Sequence, residues 1–507
     1  MSTPTPADGN SPRSLGTRVT IGAAWMVGVR WVVRSIGAIS TIVLARLLIP
    51  EDFGLVALAA AYIGLAEGFT AMPIGQALIR FQDAGRAMYD TAWTFSVLRG
   101  LLIALLMVVS AGPIAGLMND DRLELVIYVL AVKPFLDGLI NTRFIDFQKE
   151  LQFATPALIQ VVDKVVQVTV TIIAVVILRN YWALVIGTLT GSLVHLVLTY
   201  AFKPNLPRLT LSEFRPLFGF SGWVSARQMV AALNKQFDKF LVGAYLNTGL
   251  VGIYHLGKEL TRMPTRELVP PLTRALYPGL AKFRDDPALL RTNAIEASAI
   301  TAALALPIAI GFALIAEEFV IVLLGKQWLG VVLLIQVITP VVAMHQTTAL
   351  LDALVMVRGK THLLFIRAVA NLVVRVALMI PGVIYFGFNG IIGAWALTSL
   401  IFFFYRQVEY GYVIEARAFS SFIAAWRSVV SVAVMALVIL FMARWFTISP
   451  DEPLRAGLAL LAKVATGAVV YPAVHLALWL VSGRPAGIER RLHGMLGKRF
   501  PGLLAST

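Results

Sequence analysis

Long apolar stretches separated by short polar ones recur along the whole chain. A helix that crosses the hydrocarbon core of a bilayer needs about 20 mostly apolar residues. Fourteen segments meet this requirement, at residues 19–46, 53–79, 90–116, 122–145, 153–178, 181–202, 217–245, 249–281, 294–316, 328–352, 361–385, 389–413, 422–446 and 455–481. The pattern predicts an all-α, multi-pass membrane protein with about 14 transmembrane helices.

The seventh and eighth segments are the least apolar of the fourteen, because charged side chains crowd into both. The eighth segment also contains Pro264, Pro270 and Pro271. Proline kinks or breaks a transmembrane helix, and neighbouring helices then satisfy the freed backbone groups. We therefore expect the eighth helix to be kinked or broken.

The composition agrees with a membrane protein and excludes several kinds of functional site. Of 507 residues, 58% are hydrophobic and 14% charged, and the mean hydropathy is +0.79. Soluble proteins are about a quarter charged, so a soluble globular protein is excluded. The absence of cysteine excludes disulfides, thiolate metal sites and a cysteine nucleophile. Residues 1–15 are rich in proline, serine, threonine and glycine, unlike a cleavable signal peptide, so the first transmembrane helix is expected to direct insertion.

The net charge of +15 at pH 7 is distributed unevenly between the two sides of the predicted helices. With a cytoplasmic N-terminus, the inner connecting segments hold 23 Lys and Arg residues and the outer ones hold five. Because basic residues collect on the cytoplasmic side, both termini are predicted inside and the helix number is even. The basic tail contributes to this signal, and it could also contact anionic lipid headgroups. No nucleic-acid partner is expected.

The two halves of the chain also resemble each other. A shift of 198 residues places Trp25 on Trp223, residues 45–48 on 243–246, and residues 53–55 on 251–253. Helix one then falls on helix seven and helix two on helix eight, as an internal duplication requires. The predicted parts are a cytoplasmic N-terminal segment (1–18), two pseudo-symmetric six-helix lobes (19–202 and 217–415), a cytoplasmic linker between them (203–216), two further helices (416–482) and a basic cytoplasmic tail (483–507).

After the 23 inner and five outer bases are subtracted from the total of 43, 15 Lys and Arg residues remain, which we assign to the interiors of the predicted helices. Four of them, Arg46, Arg99, Arg367 and Lys463, lie within two turns of a helix end, so we expect their side chains to reach the membrane interface. A deeper base facing lipid costs about 3 kcal/mol or more. The deeper bases are therefore expected to face protein or an aqueous cavity.

The strongest grouping combines helices one, seven and eight. Its members are Arg30 and Arg34 on helix one, Arg227 and Lys235 on helix seven, and Lys258, Arg262 and Arg266 on helix eight. Within helices one and eight the bases recur every four residues, which puts them on one helix face. A guanidinium binds phosphate through charge-assisted, bidentate hydrogen bonds. We predict that these side chains line a cationic cavity and bind a phosphate or pyrophosphate group.

The alternative is that nearby acids neutralise these bases. Asp238, Glu259 and Glu267 lie among them. The predicted helices contain eight acids against 15 bases, however, so an excess of positive charge remains after every acid is paired.

Three acids in the first half are candidates for proton or cation coupling. They are Glu67, Asp137 and Asp163. Structural pairing with Lys133 or Lys164 is the competing interpretation.

Catalytic motifs are absent from the sequence. The six histidines are scattered, and there is no P-loop or His-Glu-x-x-His motif. We predict a transporter rather than an enzyme, with no cofactor and no metal site.

Three segments resemble the bacterial oligosaccharide-flippase family of polysaccharide exporters. They are Ala45–Ala59, with its Pro50-Glu-Asp-Phe-Gly54 turn, Gly75–Arg80 and Pro271–Pro278. The resemblance is greatest to the branch that exports colanic acid, succinoglycan and similar exopolysaccharide or lipopolysaccharide units. It implies the fold of the multidrug/oligosaccharidyl-lipid/polysaccharide transporter superfamily, with two lobes around a central cavity that opens alternately to each side.

The resemblance also implies a substrate and a location. The substrate is an oligosaccharide unit on undecaprenyl pyrophosphate, moved from the inner to the outer leaflet of the bacterial inner membrane. Membrane lipids and the polymerase and glycosyltransferases of the same pathway are the implied partners. In the related lipid II flippases, arginines of helices one and eight contact pyrophosphate, and two extra C-terminal helices form a groove for the lipid tail.

Two other functions are weighed against this one. A cation-coupled drug exporter of the same superfamily needs a net acidic cavity, which the internal charge count opposes. A membrane-embedded glycan polymerase or ligase is expected to have a large outer loop with catalytic groups, and the predicted outer loops are short.

Overall fold

The computed structural model describes residues 15–81, 83–215, 222–266, 269–445 and 452–483, and these ranges contain helices and no β-strand. The first nine α-helices are α1 (Leu15–Leu47), α2 (Pro50–Phe69), α3 (Ile74–Arg80), α4 (Arg86–Met118), α5 (Arg122–Leu130), α6 (Val132–Gly138), α7 (Asp146–Lys149), α8 (Ala154–Leu178) and α9 (Trp182–Phe202). The others are α10 (Gly222–Tyr245), α11 (Thr248–Arg266), α12 (Val269–Lys282), α13 (Pro287–Leu314), α14 (Ala316–Phe319), α15 (Gly330–Met344), α16 (Leu351–Val357), α17 (His362–Ile414), α18 (Ser420–Ala424), α19 (Trp426–Ala443) and α20 (Pro453–Val481).

Ten helical spans in the described ranges are long and apolar enough to cross a membrane. One of them, α17, has non-helical backbone at Gly387 (φ 57°), so this helix of 53 residues contains two predicted segments. A positive φ costs glycine little because it has no Cβ. The remaining three predicted segments fall on α5 with α6, on α10, and on α11 with α12. The prediction of an all-α, multi-pass membrane protein is confirmed, while the orientation of the termini stays a prediction.

The predicted kink or break in the eighth segment stays a prediction, because residues 267 and 268 lie outside the described residues. Helix α11 is described up to Arg266 and contains Pro264, and α12 is described from Val269.

Helix boundaries repeat at the offset that the sequence comparison suggested. Helix α1 ends at Leu47 and α10 ends at Tyr245, 198 residues later. Helix α2 begins at Pro50 and α11 at Thr248, again 198 residues later. The first helix pair of each half therefore has the same register, which agrees with an internal duplication.

The two turns are stabilised by different side chains at the same place. At the start of α2, the Asp52 carboxylate accepts a hydrogen bond from the backbone N–H of Ile49 (3.3 Å). At the start of α11, the Asn247 side chain accepts one from the backbone N–H of Leu250 (2.9 Å). Both satisfy an N–H that the helix leaves unpaired.

Contacts divide the chain into two compact units. The first holds the described residues within Met1–Leu48 and Ala59–Ala232, and the second holds those within Ile49–Leu58 and Leu233–Thr507. The boundaries of the predicted lobes stay a prediction.

In the first unit, α1 packs on α8, α8 on α9, and α4 on α5 and α6. The predicted linker follows α9 and lies against the start of α4. There, Thr94 Oγ1 accepts a hydrogen bond from the backbone N–H of Thr210 (3.0 Å) and Thr91 Oγ1 accepts one from Glu213 (3.3 Å). These bonds fasten the linker to this unit.

In the second unit, α13 packs against α11, α15, α17 and α19. Leu290, Leu350 and Tyr410 belong to one buried cluster formed by α12, α13, α16 and α17. Leu306 and Met435 belong to another, which joins α13 to α19. Helix α20 in turn packs on α19. The two C-terminal helices are thus integral to this unit.

Candidate functional site

Five of the predicted phosphate-binding side chains are exposed. Arg30 and Arg34 lie one turn apart on α1, and Arg227 lies in the early part of α10, all in the first unit. Lys235 and Arg262 are exposed in the second unit, on α10 and α11. The side chain of Arg266 lies outside the described residues. A cation exposed on a transmembrane helix is costly against lipid, so this distribution favours contact with water.

Lys258 has a different environment, because it is 5% exposed and forms an ion pair with Asp238, which is 1% exposed. Its ammonium group also donates a hydrogen bond to the carbonyl oxygen of Lys235 (3.1 Å). The aromatic rings of Tyr254 and Trp395 lie 5.7 and 5.9 Å from the ammonium nitrogen. For Lys258 the structure thus shows the local neutralisation that was weighed as the alternative. A ligand would have to displace Asp238 to reach this ammonium.

Both carboxylate oxygens of Asp238 accept hydrogen bonds. Its Oδ2 atom accepts from Lys258 and from the Tyr254 hydroxyl (2.7 Å), and its Oδ1 atom accepts from the backbone N–H of Lys239 (3.1 Å). Buried charges of this kind are stable only when paired and hydrogen-bonded. The pair therefore connects α10 to α11 inside the second unit.

Arg375 of α17 joins this cluster, although it is not among the predicted phosphate-binding residues. Its Nη1 atom donates to the carbonyl oxygen of Asn234 (3.0 Å), and the Asn234 amide donates to the carbonyl oxygen of Ala368 (3.0 Å). Arg262 and Arg375 both lie within electrostatic range of Lys258. Only the packing of α17 on α10 brings Arg375 here, so its spacing in the sequence carried no signal.

The three candidate coupling acids have separate surroundings in the first unit. Asp137 forms an ion pair with Lys133, one turn away on α6, which matches the pairing weighed as the alternative. Asp163 of α8 bonds to Nδ1 of His195 on α9 at 2.9 Å. The backbone carbonyl of Glu67 accepts from Arg99 (2.9 Å). Coupling by any of the three stays a prediction.

Two of the bases that were predicted to reach the membrane interface are buried and paired. Arg367 and Lys463 are 8% and 6% exposed, and their position relative to the interface stays a prediction. Arg367 pairs with Asp352 and, at 2.8 Å, with Glu409. Lys463 pairs with Glu318. Asp352 lies on α16 and Glu318 on α14, while Glu409 lies beyond Gly387 on α17 itself. Distance from a helix end therefore did not indicate that these bases are paired.

The second unit also contains a cavity of about 560 Å³ with almost entirely apolar walls. Helices α11, α13, α19 and α20 contribute the walls, with Met263, Gly311, Met435 and Gly467 among the lining residues. Lys463 lies at the wall, where Glu318 neutralises it. Such a cavity suits a flexible hydrocarbon chain.

Comparison with known proteins identifies the family. A family model described as "Polysaccharide biosynthesis protein" matches residues 43–333, more than half of the chain. The chain belongs to the polysaccharide biosynthesis protein family. The matched region includes α2, α10 and α11, so it covers the turn that carries the sequence resemblance and the Asp238–Lys258 pair.

Curated relatives of this family member are named for several polymers. The lipopolysaccharide biosynthesis protein WzxC of Escherichia coli K12 is 22% identical over 69% of this chain and 72% of its own length. The teichuronic acid biosynthesis protein TuaB of Bacillus subtilis is 24% identical over 58% and 62%. The succinoglycan biosynthesis transport protein ExoT of Rhizobium meliloti is 21% identical over 61% and 63%.

Solved structures show the fold. The lipid II flippase MurJ in an inward closed conformation has a TM-score of 0.73 at 14% identity, and the match covers 90% of this chain and 99% of MurJ. An inward-facing multidrug resistance MATE family transporter of the MOP superfamily has a TM-score of 0.55 at 12% identity, over 79% and 94%. This family member therefore has the MurJ- and MATE-like transporter fold.

Proposed function

We propose that this family member is a flippase that moves oligosaccharide repeat units, linked to undecaprenyl pyrophosphate, across the bacterial inner membrane for exopolysaccharide or lipopolysaccharide synthesis. The observation that carries the proposal is the exposure of Arg30, Arg227, Lys235 and Arg262 on α1, α10 and α11. Water or an anion stabilises an exposed cationic side chain in a membrane protein, and the pyrophosphate group would supply the anion.

The apolar cavity also supports this proposal, because the lipid carrier of the substrate has an apolar tail. A polyprenyl tail has no hydrogen-bonding groups, so apolar walls can contain it without leaving a polar group unpaired. The cationic side chains would bind the pyrophosphate, and the sugars would cross in water. Lys258 would position α11 against α10 rather than contact the substrate.

In our proposal, the protein moves its substrate by alternating access. The energy source would be an ion gradient, the membrane potential or consumption of the unit by a downstream polymerase. Pathway glycosyltransferases would supply the substrate on the inner side. Of the candidate coupling acids, Asp163 is the most suitable, because its carboxylate contacts His195 on another helix rather than a lysine one turn away on its own helix.

The function is tested in cells that lack their own flippase for a defined polymer. Arg30→Ala and Arg262→Ala should leave the protein inserted, abolish surface polymer and cause lipid-linked units to accumulate in the inner leaflet. Arg455→Ala is the control, because this exposed residue is not among the predicted phosphate-binding side chains and its guanidinium pairs with Glu452 at 2.8 Å. Normal polymer export by both the Arg30 and the Arg262 variant would contradict the assignment of these residues. Export of cationic drugs instead of glycan would support the drug-exporter alternative.

A further inference from the structure

Lys164 of α8 is a half-buried cation that forms no ion pair with any described residue. It follows Ala154, the first residue of α8, by ten positions, which places it about 15 Å along the helix axis. Within the described part of the chain, its ammonium group donates to one acceptor, the Oε1 atom of Gln167, at 3.1 Å. An ammonium has three N–H donors. Two donors of Lys164 therefore have no acceptor in this part of the protein.

The neighbouring carboxylate of Asp163 is engaged elsewhere. It lies within electrostatic range of the Lys164 ammonium, but its Oδ2 atom bonds to Nδ1 of His195 on α9, at 2.9 Å. Successive residues of a helix point in directions about 100° apart, so Asp163 and Lys164 contact different neighbours. The pairing of Asp163 with Lys164 that was weighed as the competing interpretation is thus not the one that the structure shows.

Other lysines of the long helices have carboxylate partners. Lys133 pairs with Asp137 in the first unit, and Lys258 and Lys463 form buried pairs in the second. A cation that is withdrawn from water without such a partner is costly in a membrane protein. An anion that binds at Lys164 would remove this cost.

Lys164 lies against the face of α1 that carries Arg30 and Arg34. A Cβ atom on Gly37 of α1 would lie 3.6 Å from the Cε atom of Lys164. Residues 30, 34 and 37 are four and three positions apart, a spacing that places them on one helix face. Along the helix axis, Gly37 lies about 4.5 Å from Arg34 and about 10 Å from Arg30. Helices α1 and α8 pack together in the first unit, so one unit brings these three cations to one face.

We propose that Lys164 binds the pyrophosphate group of the substrate together with Arg30 and Arg34. The proposal rests on the proposed function and adds a residue to its anion site. Arginine binds phosphate through a planar fork, whereas lysine is a compact charge with rotatable donors. Lys164 can therefore contact a phosphate oxygen that the two arginine forks leave open. Gly37 leaves room for the lysine stem, because glycine has no side chain.

Binding of inorganic pyrophosphate to the purified full-length protein in nanodiscs tests the proposal, and isothermal titration calorimetry measures it. Lys164→Met nearly preserves the length of the side chain and removes its charge. We expect this variant to bind pyrophosphate about tenfold more weakly, because it loses one hydrogen bond to a charged group. Lys164→Arg should recover most of the affinity, because it restores the positive charge.

Lys133→Met is the matched control, because it makes the same substitution in the same unit at a lysine that Asp137 neutralises. Its affinity for pyrophosphate should equal that of the unsubstituted protein, and its melting temperature should fall because Asp137 loses its partner. Lys164→Met should behave in the opposite way. It should bind more weakly, while its melting temperature without pyrophosphate should be unchanged or higher, because an unpaired cation is removed.

Each outcome decides between the roles of Lys164. Equal affinity of Lys164→Met and the unsubstituted protein, with weaker binding by Arg30→Ala, would overturn the proposal and leave the flippase function standing. A lower melting temperature of Lys164→Met, without recovery of binding in Lys164→Arg, would show a structural role and also overturn it. Weaker binding by Lys164→Met, in a protein that exports no glycan, would support the anion site and reject the proposed function.

Discussion

Because Asp238 and Lys258 form a buried ion pair, we expect either single substitution to lower the free energy of unfolding more than the double substitution does. Asp238→Asn leaves a buried ammonium without a countercharge, and Lys258→Met leaves a buried carboxylate without one. Removing one partner of a buried ion pair costs about 3–5 kcal/mol. Arg375 lies within electrostatic range of Asp238, so we expect the asparagine variant to fall at the upper end of this range.

The double variant removes both charges and nearly preserves the shape. Asparagine retains an acceptor for the Tyr254 hydroxyl, and methionine resembles the lysine stem. Replacing both partners by neutral residues of similar volume is often close to neutral. If the two single substitutions acted independently, their losses of unfolding free energy would add to about 6–10 kcal/mol. We expect the double variant to lie within about 2 kcal/mol of the unsubstituted protein.

Thermal unfolding of the purified protein in detergent, followed by tryptophan fluorescence, measures this difference. The melting temperature should fall for each single variant and recover for the double variant. Arg455→Met and Glu452→Gln are the control, because their 2.8 Å pair is exposed and such pairs contribute little. A double variant as unstable as the sum of the single ones would refute the pairing. Export by the stable double variant would show that Lys258 only positions α11, and loss of export would show that it contacts the substrate.

Three further predictions follow from other parts of the chain. Gly311→Leu should fill the apolar cavity, because the nearest atom to its new Cβ is a methyl group of Met435 at 4.0 Å. We expect polymer export to fall without loss of stability. The control variant Gly116→Leu, in open space on α4, should export normally. Glu318→Gln and Lys463→Met should each lower the melting temperature and recover when combined; equal melting of all three variants would argue against the buried pair. If Asp163 couples protons, Asp163→Asn should abolish the response of transport to an imposed pH gradient, and an unchanged response would remove this acid from the mechanism.

Much of the fold was predictable because a membrane makes local demands on sequence. Each crossing must be apolar over its whole length, so long spans such as α4 and α13 can be recognised without knowledge of their neighbours. The duplication was predictable because the two turns retain a similar glycine-centred pattern at a constant offset.

The candidate site was only partly predictable. Sequence counting showed that the helices contain more bases than acids, which is why an anion site was expected. It did not show which bases are neutralised, because an ion pair depends on which helix faces which. Lys258 was selected for its spacing and is paired, Arg367 and Lys463 were assigned to the interface and are buried, and Arg375 was not selected and joins the cluster.

The sequence by itself determined the class of protein, the approximate positions of the helices and the excess of internal positive charge. These properties are sums or local patterns that do not depend on tertiary contacts. Only the tertiary structure decided which charges are paired, where an apolar cavity forms and that Lys164 lies against Gly37. The physical reason is that charge neutralisation and close packing act over a few ångströms in space, between residues that lie 20 to 145 positions apart in the chain.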